Sequence, residues 1–166
     1  MNMKSSIILT NEQIQLKTRR IAYQIYESNC NEESIIIAGI NGNGYIFAQK
    51  LVEHLKEISD IKIYLCEVKL DKQDPIKGIT TDILPDDYKN KSLVLVDDVL
   101  NSGTTLIYGI KHFLEVPLKK FTTAVLINRN HKKYPVKADF KGISLSTSMQ
   151  EHISVVFNNN SYAVLE

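Results

Sequence analysis

The chain has 166 residues, 43% hydrophobic and 23% charged, with twenty Lys plus Arg set against nineteen Asp plus Glu. That length predicts one domain over 1–166 with a real core, and the composition excludes disordered, collagenous and fibrous classes. A formal charge of +1 excludes nucleic-acid binding through the bulk field, so affinity for anions must come from local patches.

Cys30 and Cys66 stand far apart, without CxxC spacing or a His or Cys cluster, and suggest neither a disulfide framework nor a zinc site. The apolar stretch at the start is too short for a signal peptide, and no apolar run approaches the ~20 residues that cross a bilayer. The expected compartment is the cytoplasm, with no membrane partner.

Segment 10–27 opens on Thr10 or Asn11 as N-cap and sets Ile14, Thr18, Ile21 and Ile25 on one helical face. Ser34–Ile40 is a continuous β-branched run, the pattern of a strand buried on both faces, and it ends in the turn Asn41-Gly42-Asn43-Gly44. Phe47, Leu51, Leu55 and Ile58 recur at helical spacing over 45–58, and 61–70 reads as a second strand with Cys66 in its core. The stretch 71–90, rich in turn formers around a short strand at 79–84, reads as a flap.

A third buried strand at 92–96 leads through a polar turn to a helix over 104–115, in which Gly109 costs about 1 kcal/mol relative to Ala. A fourth strand spans 122–127, and 136–166 is a set of short extended pieces without an evident order. Strands alternating with helices predict an α/β fold, a doubly wound and mostly parallel sheet with ligands at the carboxyl ends of its strands.

The most informative string is Leu93-Val-Leu-Val-Asp97-Asp98-Val-Leu-Asn101-Ser102-Gly103-Thr104-Thr105. Successive strand residues face opposite ways, so two adjacent acids are expected at the exposed end of the strand rather than within it. The turn after them combines small residues, hydroxyls, a glycine and a helix start, which together make an anion cradle of aligned N–H groups. Carboxylates beside such a cradle suit a phosphorylated sugar and a hydrated Mg²⁺. Ser102–Thr105 alone would be an ordinary turn with an N-cap hydroxyl; the whole string argues for the functional reading.

This string resembles the phosphoribosyl pyrophosphate signature of type I phosphoribosyltransferases. Arg20-Ile-Ala22, Ala38-Gly-Ile40, the signature, and Arg129 with His131-Lys-Lys-Tyr-Pro-Val-Lys-Ala-Asp-Phe140 are similar, in that order, to the pyrimidine-operon attenuation regulators that double as uracil phosphoribosyltransferases. The resemblance implies that Asp97 and Asp98 contact the ribose hydroxyls and Mg²⁺, directly or through water. It implies that Asn101, Ser102, Gly103, Thr104 and Thr105 hold the 5′-phosphate, and that Asn41, Gly42, Asn43 and Gly44 occupy the place of the pyrophosphate loop. Segment 71–90 would be the closing flap, and Arg129 would lie near the base as a catalytic residue. The implied reaction transfers ribose 5-phosphate from phosphoribosyl pyrophosphate to a nucleobase, uracil first, releasing pyrophosphate.

Three departures qualify the resemblance. The regulators' loop carries a Thr-Arg-Gly element, so the cationic contact is missing at Asn41–Gly44. Asp71-Lys72-Gln73-Asp74 stands where they have aromatic-Arg-Asp-Asp, which leaves Lys72 as a point charge without the bidentate fork of Arg. Asn128 and Asn130 flank Arg129 in place of Asp and Gly, which bears on base preference.

Gly42-Asn-Gly44 fails a dinucleotide fingerprint because Phe47 holds the third glycine position. Segment 128–141 carries five basic residues and one acid, and Arg19 and Arg20 can join it. RNA binding there ranks below catalysis, with solvation the commoner use of such charge. His54, His112 and His152 read as structural or solvated, and only His131, beside Arg129, as a candidate for function. The alternatives are an RNA-binding regulator with little catalysis and a purine-base transferase; a homodimer or higher homo-oligomer is expected from similar proteins.

Overall fold

The computed structural model describes residues 6–166; the first five residues, with the start of the expected domain and of the apolar stretch, lie outside the described residues. Thr10 caps helix α1 (Asn11–Asn29): its hydroxyl accepts from Gln13 N at 3.3 Å, and the Gln13 side chain accepts from Thr10 N at 2.9 Å. That reciprocal box assigns the cap to Thr10 rather than Asn11. Among the described residues no helix is long and apolar enough to cross a membrane.

Strand β2 (Ser34–Ile40) lies inside a six-stranded sheet of order β4-β3-β2-β5-β6-β7. Its neighbours are β3 (Lys62–Leu70) and β5 (Ser92–Leu100), followed outward by β4 (Ile79–Thr81) on one side and by β6 (Lys120–Arg129) and β7 (Phe140–Leu145) on the other. All pairings are parallel except β3 with β4.

The β-branched run of β2 is buried on both faces, as its composition requires. Ile35 and Ile37 pack with α1 and with Phe47 and Leu51 of helix α2 (Asn43–Ile58). Ile36, Ala38 and Ile40 pack instead with Leu106 and Phe113 of helix α4 (Thr104–Phe113) and with Tyr88 of the short helix α3 (Pro85–Tyr88). Gly109 has a packing reason: a Cβ there would stand 2.9 Å from Leu95 Cδ2, so the bare helix backbone lets α4 lie against β5.

Segment 136–166, unordered in the sequence reading, mostly forms a hood. Strands β1 (Ser6–Leu9), β9 (Tyr162–Leu165) and β8 (Ile153–Val156) make a three-stranded antiparallel sheet in that order. Leu9, Ile153, Val155 and Ala163 bury into the α1 and α2 side of the core. The hood therefore joins the two ends of the described chain over the carboxyl end of the main sheet.

Several boundaries differ from expectation by one or two residues at helix and strand ends, while β5, β6 and β4 differ by more in length. β5 runs to Leu100 because its register with β6 continues as far as Leu100 opposite Asn128. β6 correspondingly spans Lys120–Arg129 rather than 122–127. β4 stops at Thr81, whose hydroxyl donates to Ile83 O at 2.7 Å and turns the chain away from β3.

Candidate functional site

The chain enters β2, crosses through α2 to β3 on one side, and later places β5 on the other side. The carboxyl ends of β2 and β5 are thus the point where the connections diverge, the position at which open α/β sheets leave a crevice. The Asn41–Gly44 turn follows β2 and the acidic turn follows β5, so topology alone brings these two segments together.

A cavity of about 710 Å³ opens there. Asn43, Lys72, Asp97, Asp98 and the whole run Asn101 to Thr105 line it, with hood residues His152 to Val155 forming the opposite wall. Asn41 and Gly42 instead border a separate shallow cleft with Glu67, Lys69 and Asp71. Asn41 is a structural tie: its Oδ1 accepts from Leu70 N at 3.2 Å and its own N donates to Val68 O at 2.8 Å. Gly44 is buried beneath the acids, where a Cβ would come 2.8 Å from Asp97 Oδ1.

The two acids are not both at an exposed strand end, as alternation suggested. β5 continues through them, and Asp97 is only 4% exposed while Asp98 is partly open. The reason is the glycine at position 44, which leaves room for one carboxylate inside. Burial, and next the neighbouring Asp98 charge, push the Asp97 carboxyl well above the usual carboxylate range; Lys72, 3.9 Å from Oδ1, acts in the opposite direction. Asp98 Oδ2 accepts from Asn43 Nδ2 at 3.2 Å.

The anion cradle is held from outside. Gly103 has φ of +82°, and a Cβ there would meet Val136 Cγ2 at 2.5 Å. Ser102 O accepts from Lys133 N at 2.7 Å and from Tyr134 N at 3.1 Å, so the loop after β6 clamps the turn. The hydroxyls of Ser102 and Thr104 hydrogen-bond to each other at 2.8 Å, and Thr104 N donates to Ser102 Oγ at 3.3 Å. Beyond that contact at Thr104, the N-cap residue Gly103 offers no side chain to cap α4, which leaves the next N–H groups of that helix for an anion.

Arg129 is placed otherwise than the resemblance implied. It is 8% exposed, does not line the cavity, and donates through Nε to Thr147 Oγ1 at 2.6 Å and through Nη2 to Ser148 O at 2.8 Å. His131 bonds Thr147 O through Nε2, so both side chains hold the loop ahead of the hood. The basic segment is correspondingly smaller than it reads: Arg129 is internal, and Lys137 pairs with Asp139 at 3.4 Å. Arg20 donates to Gly142 O at 2.7 Å, which joins α1 to β7.

Lys133, His152 and Ser154 also line the cavity; along the chain Lys133 reads only as part of the basic segment, and no local pattern marks the other two as site residues. Long-range approaches alone make them neighbours of the acids: the loop after β6 brings Lys133, and the hood brings His152 and Ser154.

Among the described residues no group of three or more His, Cys, Asp or Glu is arranged to hold a metal. The donors present are the two carboxylates and the buried Asn101 Oδ1, which has no hydrogen-bond partner. An all-oxygen set with few protein ligands fits Mg²⁺, which keeps waters and shares substrate phosphates, and does not fit zinc.

Comparison with known proteins agrees with this geometry. Residues 4–158 match the phosphoribosyl transferase domain model. The chain is 32% identical over 164 residues to the "Bifunctional protein PyrR" of Streptococcus agalactiae, covering 96% of this chain and 95% of that protein. A protein of the same name from Geobacter sp. is 32% identical over 162 residues, covering 93% and 92%. Among solved structures, a hypoxanthine-guanine phosphoribosyltransferase of Bacillus anthracis superposes with a TM-score of 0.72 at 19% identity, covering 84% of this chain and 82% of its own. The hypoxanthine phosphoribosyltransferase of Trypanosoma cruzi gives 0.75 at 13% identity, covering 89% and 84%; these two likenesses speak to the fold. With its mostly parallel sheet, its acidic strand end and its glycine-turned helix start, the chain belongs to the phosphoribosyltransferase family, a family of pentosyltransferases.

Proposed function

We propose that this protein transfers the 5-phosphoribosyl group of phosphoribosyl pyrophosphate to uracil, with release of pyrophosphate. The observation that carries the reading is the union, in one cavity, of Asp97 and Asp98 with the uncapped start of α4. N–H groups of the Asn101 to Thr105 turn and α4 hold the 5′-phosphate. Carboxylates accept from the ribose hydroxyls and favour positive charge at the anomeric carbon as its bond to pyrophosphate lengthens and a ring nitrogen of the base attacks. Lys72 is the cation for the leaving pyrophosphate.

Asp97, Asp98 and Asn101 would hold Mg²⁺, which when bound neutralises phosphate charge. The hood wall and the start of segment 71–90, where Lys72, Gln73 and Pro75 line the cavity, act as the cover that keeps water from the activated sugar, while Tyr88 anchors the end of that segment in the core. No covalent nucleophile is needed.

Uracil ranks ahead of purine bases because the resemblance of the segment after β6 is to uracil-using regulators. The test is pyrophosphate release with a panel of pyrimidine and purine bases. Uracil is expected to turn over fastest; if no base exceeds background hydrolysis, the enzyme reading falls. We place the protein in the cytoplasm.

RNA binding is a second reading. It is supported by exposed Lys132 and Lys133 beside the clamped turn, and by relatives that are named bifunctional. Binding through this patch should weaken steeply as salt rises, since released counterions drive it. At least a homodimer is expected, with Leu16 and Tyr23 exposed on α1; sedimentation velocity decides it.

A further inference from the structure

We propose that Asn43 is a positioning residue that fixes the Asp98 carboxylate and ties it to hood strand β8, in place of contacting pyrophosphate. The proposal rests on the phosphoribosyl-transfer reading and departs from the loop contact that the resemblance implies.

The Asn43 amide nitrogen donates to Asp98 Oδ2 at 3.2 Å and to Val155 O at 2.8 Å. A backbone carbonyl only accepts, so the group facing Val155 O must be the NH₂, and the amide orientation follows from chemistry. That NH₂ has two N–H donors, and both are engaged. What Asn43 has left is Oδ1, an acceptor, which repels phosphate oxygens. The side chain can donate to pyrophosphate only by releasing Asp98 or the hood, whereas the backbone N–H of Asn43, at the start of α2, is untouched by substitutions of the side chain.

The neighbouring backbone makes the arrangement stiff. Gly44 lies against Asp97 so closely that a Cβ would touch Oδ1 at 2.8 Å, which sets the start of α2 directly beside the acidic strand end. Val155 is itself buried with Ala163 in the core under the hood. A displacement of β8 is therefore transmitted through one amide to Asp98, and the hood and the carboxylate move together. The Arg that the regulators carry in their loop would bring charge to this place; the Asn brings orientation.

The test uses the full chain, N43A and the isosteric N43D, with ribose 5-phosphate and inorganic pyrophosphate as separate calorimetric probes. N43A is expected to weaken ribose 5-phosphate and to lower kcat about 10- to 100-fold, as loss of a carboxylate's orienting partner does. Pyrophosphate affinity should stay within about threefold, the mark of a lost interaction that is not a pyrophosphate contact. N43D, which removes both donors and sets two carboxylates together, should lose more than N43A. Backbone amides of β8 should exchange faster in both variants.

Weaker pyrophosphate binding with ribose 5-phosphate and kcat unchanged would overturn the proposal in favour of a direct contact. Equal loss of both ligands in step with a lower Tm would overturn it in favour of a purely structural role. If the parent chain binds neither probe, the phosphoribosyl-transfer reading fails first, whatever the variants do.

Discussion

Val136 lies directly over Gly103: a Cβ at position 103 would sit 2.5 Å from Val136 Cγ2, at a residue whose φ is already +82°. Two independent constraints, one local and one tertiary, thus demand glycine at the start of α4. The contact joins the anion turn to the loop after β6, which also clamps Ser102 O through Lys133 N and Tyr134 N.

Gly103→Ala should accordingly cost about 1–3 kcal/mol of stability, from the left-handed backbone and the clash together. Val136→Ala relieves the clash but not the backbone strain, and by itself removes core packing, so measured against Val136→Ala alone the thermal unfolding of the double variant should show part of the Gly103→Ala loss recovered. Full recovery would mean that φ at position 103 is immaterial.

Asp97→Asn tests the buried acid. A carboxyl whose folded pKa is raised binds its proton more tightly in the folded state. Stability is therefore undiminished below the ordinary aspartate value of about 3.9, and falls as pH rises from there toward the folded pKa. The Asn variant lacks this penalty. It should be the more stable protein at pH 7, with the advantage shrinking to nothing in denaturant titrations near pH 3.5, while phosphoribosyl pyrophosphate binding is lost.

Lys72, which lines the cavity with its side chain nearly half exposed, should matter little to folding: Lys72→Ala is expected to change stability by less than about 1 kcal/mol. Its effect belongs to ligand affinity, with pyrophosphate binding weakened on the order of tenfold, the range of a lost hydrogen bond to a charged group. Calorimetry with pyrophosphate, at equal Tm, separates the two.

Arg129→Ala leaves Thr147 and Ser148 O without their donor inside the protein. A stability loss of about 1.5–3 kcal/mol is expected, the worth of hydrogen bonds made by a charged group. Limited proteolysis should open first around 146–151, ahead of the hood. If Arg129 instead acts on the base, the variant would keep its stability and its proteolytic pattern and lose only turnover.

Much of this protein is legible along the chain because it is local. The β-branched run of β2, the helical spacing of Phe47, Leu51 and Leu55, and the acids followed by Asn101 to Thr105 each state their element within a dozen residues, and the order of elements states the doubly wound sheet. Even the family is written there, since the anion turn is a contiguous string. What the local pattern left open depends on partners far away in sequence.

Strand alternation called for both acids at an exposed end, yet a glycine more than fifty residues earlier admits Asp97 to the interior. Arg129 read as a residue for the base, yet the loop at 147–148 takes up its guanidinium. The hood, built from residues 6–9 and 153–165, has no local signature because its strands are short and pair across the whole chain. Periodicity and turn chemistry are properties of neighbours and so determine elements. Burial of a charge, and the choice of partner for a buried donor, are decided only when the sheet closes and distant segments compete for the same space.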